Sequence, residues 1–338
     1  MNLLRWVTIA VVVALLLPMP VAAWDASGHE LVATMAYARL NPKAQKAVNE
    51  LACELQNPEQ VYDAISLACW MDDLRKNTAM PYQGKFLGWH YIDIGIDPGD
   101  PPQPFEPGDD NDEHGNVVQA LKRAVVVLQG GTDPYIKTKA VACAIAMHLV
   151  GDIHQPLHCS TKYFLSGGQL HQDAGGNKEL VLNGPPVTGI PGEAQFNLHA
   201  FWDSAWRASF DEATGSVVLD PRYEDKGLHE PQNVRPLAEE LERQPLAPGA
   251  DLRTNIDQWA RESNAIGRDF VYRELTATES KKYCRLSSGY VAKARQIARE
   301  RLVLAAARLA VLLNNTLGSD AAIKPPSPYP AGPPSQGW

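Results

Sequence analysis

Apolar residues recur every three or four positions over 29–40 and stop at Asn41-Pro42, so the spacing predicts a helix there. The same period predicts helices over 43–55 and 61–74. Residues 115–128 read as a helix stopped by Gly130-Gly131. Asp133-Pro134 then opens a long apolar helix through Val150, with a break at Pro156. A short helix restarts over 199–206, and 290–315 is a long Ala/Leu/Arg amphipathic run whose apolar face belongs in a core. Strand signals are few. The stretch 160–195, rich in Gly and Pro, reads as loop or hairpin with one plausible strand over 178–182. The pattern is that of an all-α, mostly helical protein, and long loops over such a scaffold often carry function.

The two ends read differently. Residues 1–23 have a basic start ending at Arg5, an apolar stretch from Trp6 to Leu17, then Pro18 and Val21-Ala22-Ala23, the pattern of a cleavable secretory signal. That apolar stretch is shorter than the ~20 residues needed to span a bilayer. The expectation is a secreted or periplasmic protein whose mature chain begins at Trp24, with no membrane attachment after cleavage. Residues 24–323 then form a single catalytic domain, and the Pro-rich tail 324–338 reads as extended or disordered. The formal charge of −8 becomes one unit more negative without Arg5, which argues against a broad basic face for duplex DNA. Five cysteines, Cys53, Cys69, Cys143, Cys159 and Cys284, in a chain bound for an oxidising compartment predict one or two disulfides of open pairing. None forms a Cys-x-x-Cys pair.

The chemistry lies in histidines and aspartates. His148 with Asp152, and His199 with Asp203, are spaced four apart, and His158 follows Asp152 by six. On a helix, positions i and i+4 share a face with Cβ atoms about 5–6 Å apart, so each imidazole and carboxylate can close on one ion. Imidazole and carboxylate donors suit Zn²⁺. Taken singly, His29 is an ordinary helix-start residue, Asp72 a solvated helix-end acid and His90 a structural histidine.

Taken together, Trp24…Gly28-His29, Trp70-x-Asp72, His90-Tyr91-Ile92-Asp93, His148-x₃-Asp152, Gln155-Pro156-Leu157-His158, Gly175-Gly176-Asn177 and Asn197-Leu198-His199-x₃-Asp203 resemble the S1/P1 nucleases over nearly the whole mature chain. The resemblance implies a phospholipase C/P1 nuclease-like helical fold around three Zn²⁺. It also implies hydrolysis of single-stranded DNA and RNA to 5′-phosphorylated products, with 3′-nucleotidase activity on 3′-nucleotides. Carried over by position, Asp72, His90, His148 and Asp152 resemble the first zinc site, and His158, His199 and Asp203 the second. Trp24, through its amine and carbonyl, resembles the third with His29 and Asp152. Asp152 would thus be shared between two ions. Such a cluster would bring about +6 against its three aspartates, leaving a pocket of about +3 on an acidic body.

The resemblance also puts Arg75, with Asp72 and Asp152, in the catalytic set, where a guanidinium fork suits phosphoryl oxygens. Tyr91, Asp93, Gly175 and Asn177 stand where the family handles a base. His154 reads as support for the ligands, and His114, His171 and His229 as solvated loop residues. The loop between His158 and Asn177 departs from the fungal members and leaves substrate range open. A monomer with no stable protein partner is expected. Two other readings carry less. A zinc phospholipase C of the same fold would have glutamate where this chain has Asp203, and a closed structural zinc site would be rich in cysteine.

Overall fold

The computed structural model describes residues 24–56, 61–76, 86–96, 104–105, 115–166, 169–185, 196–224, 229, 231–277 and 283–319. The expected signal 1–23, the tail 324–338 and His114 lie outside these residues. So does the side chain of Arg75, although its backbone belongs to a helix.

Among the described residues, helices dominate. They are α1 (Ala26–Ala38), α2 (Pro42–Glu54), α3 (Trp70–Lys76), α4 (Val117–Leu128), α5 (Lys139–Asp152), α6 (Leu198–Ser204), α7 (Pro231–Glu242), α8 (Ile256–Ile266) and α9 (Ser288–Leu317). Side-chain caps explain most starts. Asp25, Asn41, Asn116, Thr138, Asn197, Asn255 and Ser287 each accept a hydrogen bond from a first-turn backbone N–H. At α4 the cap is reciprocal: Asn116 and Gln119 form a capping box.

Helix α5 is apolar all round and buried from Ala140 to Asp152, as a helix at the centre of a core must be. Helices α1, α2, α4 and α9 pack against it, and α7 covers α1. The C-terminal end of α5 is pinned by polar groups reaching in from α8 and α9. Arg308 donates to His154 Nε2 (2.9 Å) and to Glu262 (2.7 Å), and Arg301 donates to the His154 carbonyl (3.1 Å). His154 therefore braces the turn that follows Asp152 and does not face the donors themselves. With burial and two guanidiniums beside it, its ring is held well below the usual histidine range.

Several expected elements differ. The run 61–74 is no single helix, because Asp63 Oδ1 accepts from the N–H groups of Ile65 and Ser66 (2.8 Å each). That side-chain turn gives way to a 3₁₀ turn, Ser66–Cys69, and only then to α3. Asp133 likewise caps a turn through Tyr135 and Ile136, and α5 begins only after Thr138. Helices α7 and α8 have no counterpart in the sequence reading. Both carry an apolar stripe, Val234, Leu237, Ala238 and Leu241 on α7 and Ile256, Trp259 and Ala260 on α8, but Pro236 inside α7 argues against a helix there.

The strands are short: β1 (Gly95–Ile96), β2 (Pro104–Phe105), β3 (Thr161–Ser166), β4 (Gln169–Gln172), β5 (Leu180–Val181), β6 (Ala208–Asp211), β7 (Ser216–Leu219), β8 (Thr276–Ala277) and β9 (Tyr283–Arg285). The expected strand over 178–182 shrinks to β5. An antiparallel hairpin of β3 and β4, register Tyr163↔Gln172, occupies part of the anticipated loop. β1 runs parallel to β3 and ties the segment after His90 to the segment after His158.

The expected disulfides do not form. No disulfide joins any of the five cysteines, of which Cys53 is exposed and the others are buried. Their thiols face separate neighbours: Cys69 the Ala26 carbonyl, Cys143 the Met147 sulfur and Cys159 the Ile153 carbonyl. His229, expected in solvent, is half-buried, with its Nε2 2.7 Å from Asp73 Oδ2.

Candidate metal centre

Three elements end at one place. The N-terminal turn of α1 brings His29, the Ser66–Cys69 turn leads into Asp72 on α3, and the C-terminal end of α5 brings His148 and Asp152. The 3₁₀ turn Leu87–His90 adds His90. A further 3₁₀ turn, Pro156–Cys159, carries His158, and α6 carries His199 and Asp203. All eight side chains are buried.

Their donor atoms form three groups, each within 4.8 Å: His29, His148, Asp152; Asp72, His90, His148, which shares His148 with the first; and the separate His158, His199, Asp203. Asp152 belongs to the first and also lies beside the imidazoles of the second. Its Oδ2 lies 3.0 Å from His90 Nδ1 and 3.3 Å from His148 Nε2, while Oδ1 lies 3.3 Å from His29 Nε2. Asp72 Oδ1 stands 3.8 Å from His148 Nε2 and 4.0 Å from His90 Nδ1. In the remaining group His158 Nε2 and His199 Nε2 are 3.1 Å apart, with Asp203 Oδ1 3.9 and 3.7 Å from them.

Backbone carbonyls aim these rings. The outward nitrogens meet an acceptor at 2.7 Å in three cases: His148 Nδ1 on Ala68, His158 Nδ1 on His90 and His199 Nδ1 on Gly175. An Nδ1–H donated to a carbonyl leaves Nε2 as the lone-pair donor, which is how metal-binding histidines are oriented. Asp203 is held by the Gln155 amide (2.7 Å), from the Gln155-Pro156-Leu157-His158 segment, a role that no local spacing announces.

Glycines make room. A Cβ on Gly151 would meet the His29 ring at 3.0 Å, and one on Gly28 would meet Trp24 Cβ at 2.9 Å. Gly175 has φ +59° and would place a Cβ 2.8 Å from the Leu157 carbonyl, so the residue whose oxygen aims His199 cannot easily be anything else.

Trp24 is buried, and its indole N–H donates to the Gly151 carbonyl (2.8 Å). Next to it Asp25 is a hub that sequence reasoning missed, although its position before α1 marks it as a cap. It accepts from Gly28 N–H (3.0 Å), Trp206 (3.1 Å), Ser204 (3.2 Å) and Arg207 (2.7 Å). These bonds fasten the 24–25 segment to α6 and the turn after it.

The electrostatics favour a cation. Burial pushes the Asp203 carboxyl well above the usual range; the Gln155 amide opposes this, while Asp25, Asp152 and Asp72 add repulsion. For His148, burial opposes the charged ring, but the Asp152 and Asp72 carboxylates prevail and raise it. Buried carboxylates that repel one another among convergent imidazole nitrogens form a donor set that suits multivalent metal ions.

Other predicted residues flank this centre. Tyr91, next to His90, is 38% exposed. Asp93 accepts a short hydrogen bond from Thr161 Oγ1. Asn177 donates from Nδ2 to the Ala174 carbonyl (2.7 Å), closing the turn that carries Gly175 and Gly176. His171 lies exposed on β4.

A comparison with curated proteins finds no match. The family model described as S1/P1 Nuclease matches residues 24–318. The helical architecture is that of the phospholipase C/P1 fold. S1/P1 nucleases are metal-dependent hydrolases of phosphodiester bonds. Matched from Trp24 through the end of α9, this chain belongs to the S1/P1 nuclease family.

Proposed function

We propose that this protein is an extracytoplasmic zinc-dependent endonuclease that cleaves single-stranded DNA and RNA to 5′-phosphorylated products and also acts on 3′-nucleotides. The observation that carries the reading is Asp152, whose two oxygens face different imidazoles beside a separate His158/His199/Asp203 group. Asp72, His90, His148 and Asp152 would hold one ion, and His158, His199 and Asp203 a second. His29 and Asp152, with the amine and carbonyl of a processed Trp24, would hold a third. Zinc bound there would supply Lewis acidity and water acidified to a pKa of about 7.

The remaining work falls to side chains. Tyr91 offers an exposed ring for stacking, which is worth about 1–3 kcal/mol per base and suits any unpaired base. Asp93 and Asn177 can hydrogen-bond a base edge, and Arg75 can pair with phosphate. Three of the donor imidazoles have both nitrogens engaged, one on a carbonyl and one in the cluster, so none of these serves as a nucleophile.

One assay tests the reading. The protein beginning at Trp24 is incubated with single-stranded DNA, RNA, a 3′-nucleotide and phosphatidylcholine, with and without a chelator. Chelator-sensitive release of 5′-phosphorylated nucleotides is expected. Release of choline phosphate alone, or no reaction, overturns it. The terminal amine is tested separately: one extra residue before Trp24 should remove one ion and most activity, and unchanged ion content and activity would show that the amine binds no metal.

A further inference from the structure

The elements that feed the metal centre also feed a second group on their other side. Helix α1 supplies His29 to the centre and Glu30 to this group. The Ser66–Cys69 turn supplies the Ala68 carbonyl to the centre and Cys69 to this group. Helix α3 divides in the same way between Asp72 and Asp73. His229 completes the set.

A carboxylate oxygen of Glu30, the Cys69 sulfur and a His229 ring nitrogen lie within 4.8 Å of one another. Glu30 is 3% and Cys69 1% exposed. His229 Nδ1 stands 4.0 Å from Glu30 Oε1, and its Nε2 is 2.7 Å from Asp73 Oδ2. That same oxygen accepts from the Tyr62 hydroxyl at 2.9 Å. The imidazole is therefore oriented from behind by a carboxylate that is itself fixed, the arrangement that aims a histidine at a metal.

We infer that Glu30, Cys69 and His229 form a further divalent-metal site, of zinc-like preference, back to back with the His/Asp centre. One thiolate, one imidazole and one carboxylate make a three-residue donor set that leaves a fourth position for water. The charges fit. With Asp73 paired to the Nε2–H of His229, the glutamate and a thiolate balance a dication, and buried charges persist when they are paired or coordinate a metal. The thiol proton passes to solvent on binding. An ion here would tie α1 to the Ser66–Cys69 turn, one residue from His29 and three from Asp72.

Cobalt distinguishes this site from the main centre, whose donors are nitrogen and oxygen. The purified protein is loaded with Co²⁺, and bound equivalents and the near-ultraviolet sulfur-to-cobalt charge-transfer band are measured together. The band is expected in the unaltered protein. Cys69→Ser should lose the band and one bound equivalent while keeping the cobalt of the His/Asp centre. Asp73→Asn should weaken this one site about 10- to 100-fold. His229→Gln gives the same loss of an equivalent should Cys69→Ser fold poorly. No sulfur–cobalt band at full loading, or a band that persists in Cys69→Ser, overturns the site and leaves a histidine–carboxylate relay. Nuclease activity and its chelator sensitivity are scored independently, so failure here does not depend on the function proposed above.

Discussion

The donor residues and the residues that flank them are held by different means. His148, His158 and His199 are buried, and each has its rear nitrogen on a backbone carbonyl. Tyr91, by contrast, is 38% exposed, and Asn177 sits in a turn that it closes itself. The first set is built to keep its positions to within a fraction of an ångström, as a metal site requires. The second set, proposed above to meet the bases, is the more open to solvent. Changes in the first set should therefore cost far more than changes in the second.

The largest effect is expected at Asp152, whose oxygens serve two donor groups. Asp152→Asn should lower kcat/KM by about 10²–10³-fold or more, the scale for removing a central electrostatic group. It should also release more than one ion, which a metal count checks. A variant that keeps its ions and activity would break the comparison at its strongest point.

Gly175→Ala comes next. It places a side chain against the Leu157 carbonyl at positive φ and displaces the oxygen that aims His199. The expected strain is about 1–3 kcal/mol, and metal affinity at the His158/His199/Asp203 group should drop about 10- to 100-fold. Thermal unfolding and a competitive metal titration measure the two parts.

Tyr91→Ala should act on binding alone. A lost stacking contact of about 1–3 kcal/mol raises KM for single strands roughly 5- to 150-fold, with metal content and Tm unchanged. A fall in metal content would show that Tyr91 belongs with the rigid set.

The smallest effect concerns pH. His154, pinned neutral by burial and by Arg301 and Arg308, titrates well below its ordinary 6.5. The unfolded chain takes up this proton near pH 6.5 and the folded chain does not. Stability is therefore full above that pH and falls as pH drops below it. In Tm measurements from about pH 7 to about pH 5, His154→Gln should lose less Tm than the unaltered protein. Parallel profiles would remove the buried histidine from the acid response.

Legibility followed locality. The i, i+4 pairs His148/Asp152 and His199/Asp203 were readable because helical spacing alone puts them on one face, and α1, α2, α4 and α9 were readable from their apolar period. Helix α7 was not, because Pro236 argues against a helix although Val234, Leu237, Ala238 and Leu241 keep the apolar period. The hairpin of β3 and β4 was one of the two readings, loop or hairpin, of 160–195, but its strands were not placed, because strands this short carry little signal. The solvated reading of His229 failed because nothing near it in the chain announces Asp73, which is distant in sequence. The disulfides failed similarly: an oxidising compartment permits them, but only proximity makes them.

The sequence by itself determined the donor types, their order along the chain, the apolar helices and the local caps that start them. Those depend on neighbours within about one helical turn. The tertiary structure alone decided that His29, Asp72, His90 and Asp152 converge, that the carbonyls of Ala68, His90 and Gly175 select the ring nitrogens, and that Glu30 and Cys69 meet His229 behind them. Such contacts arise from packing α1, α3 and α5 together, and no local pattern encodes the distance between residues that only a shared core brings side by side.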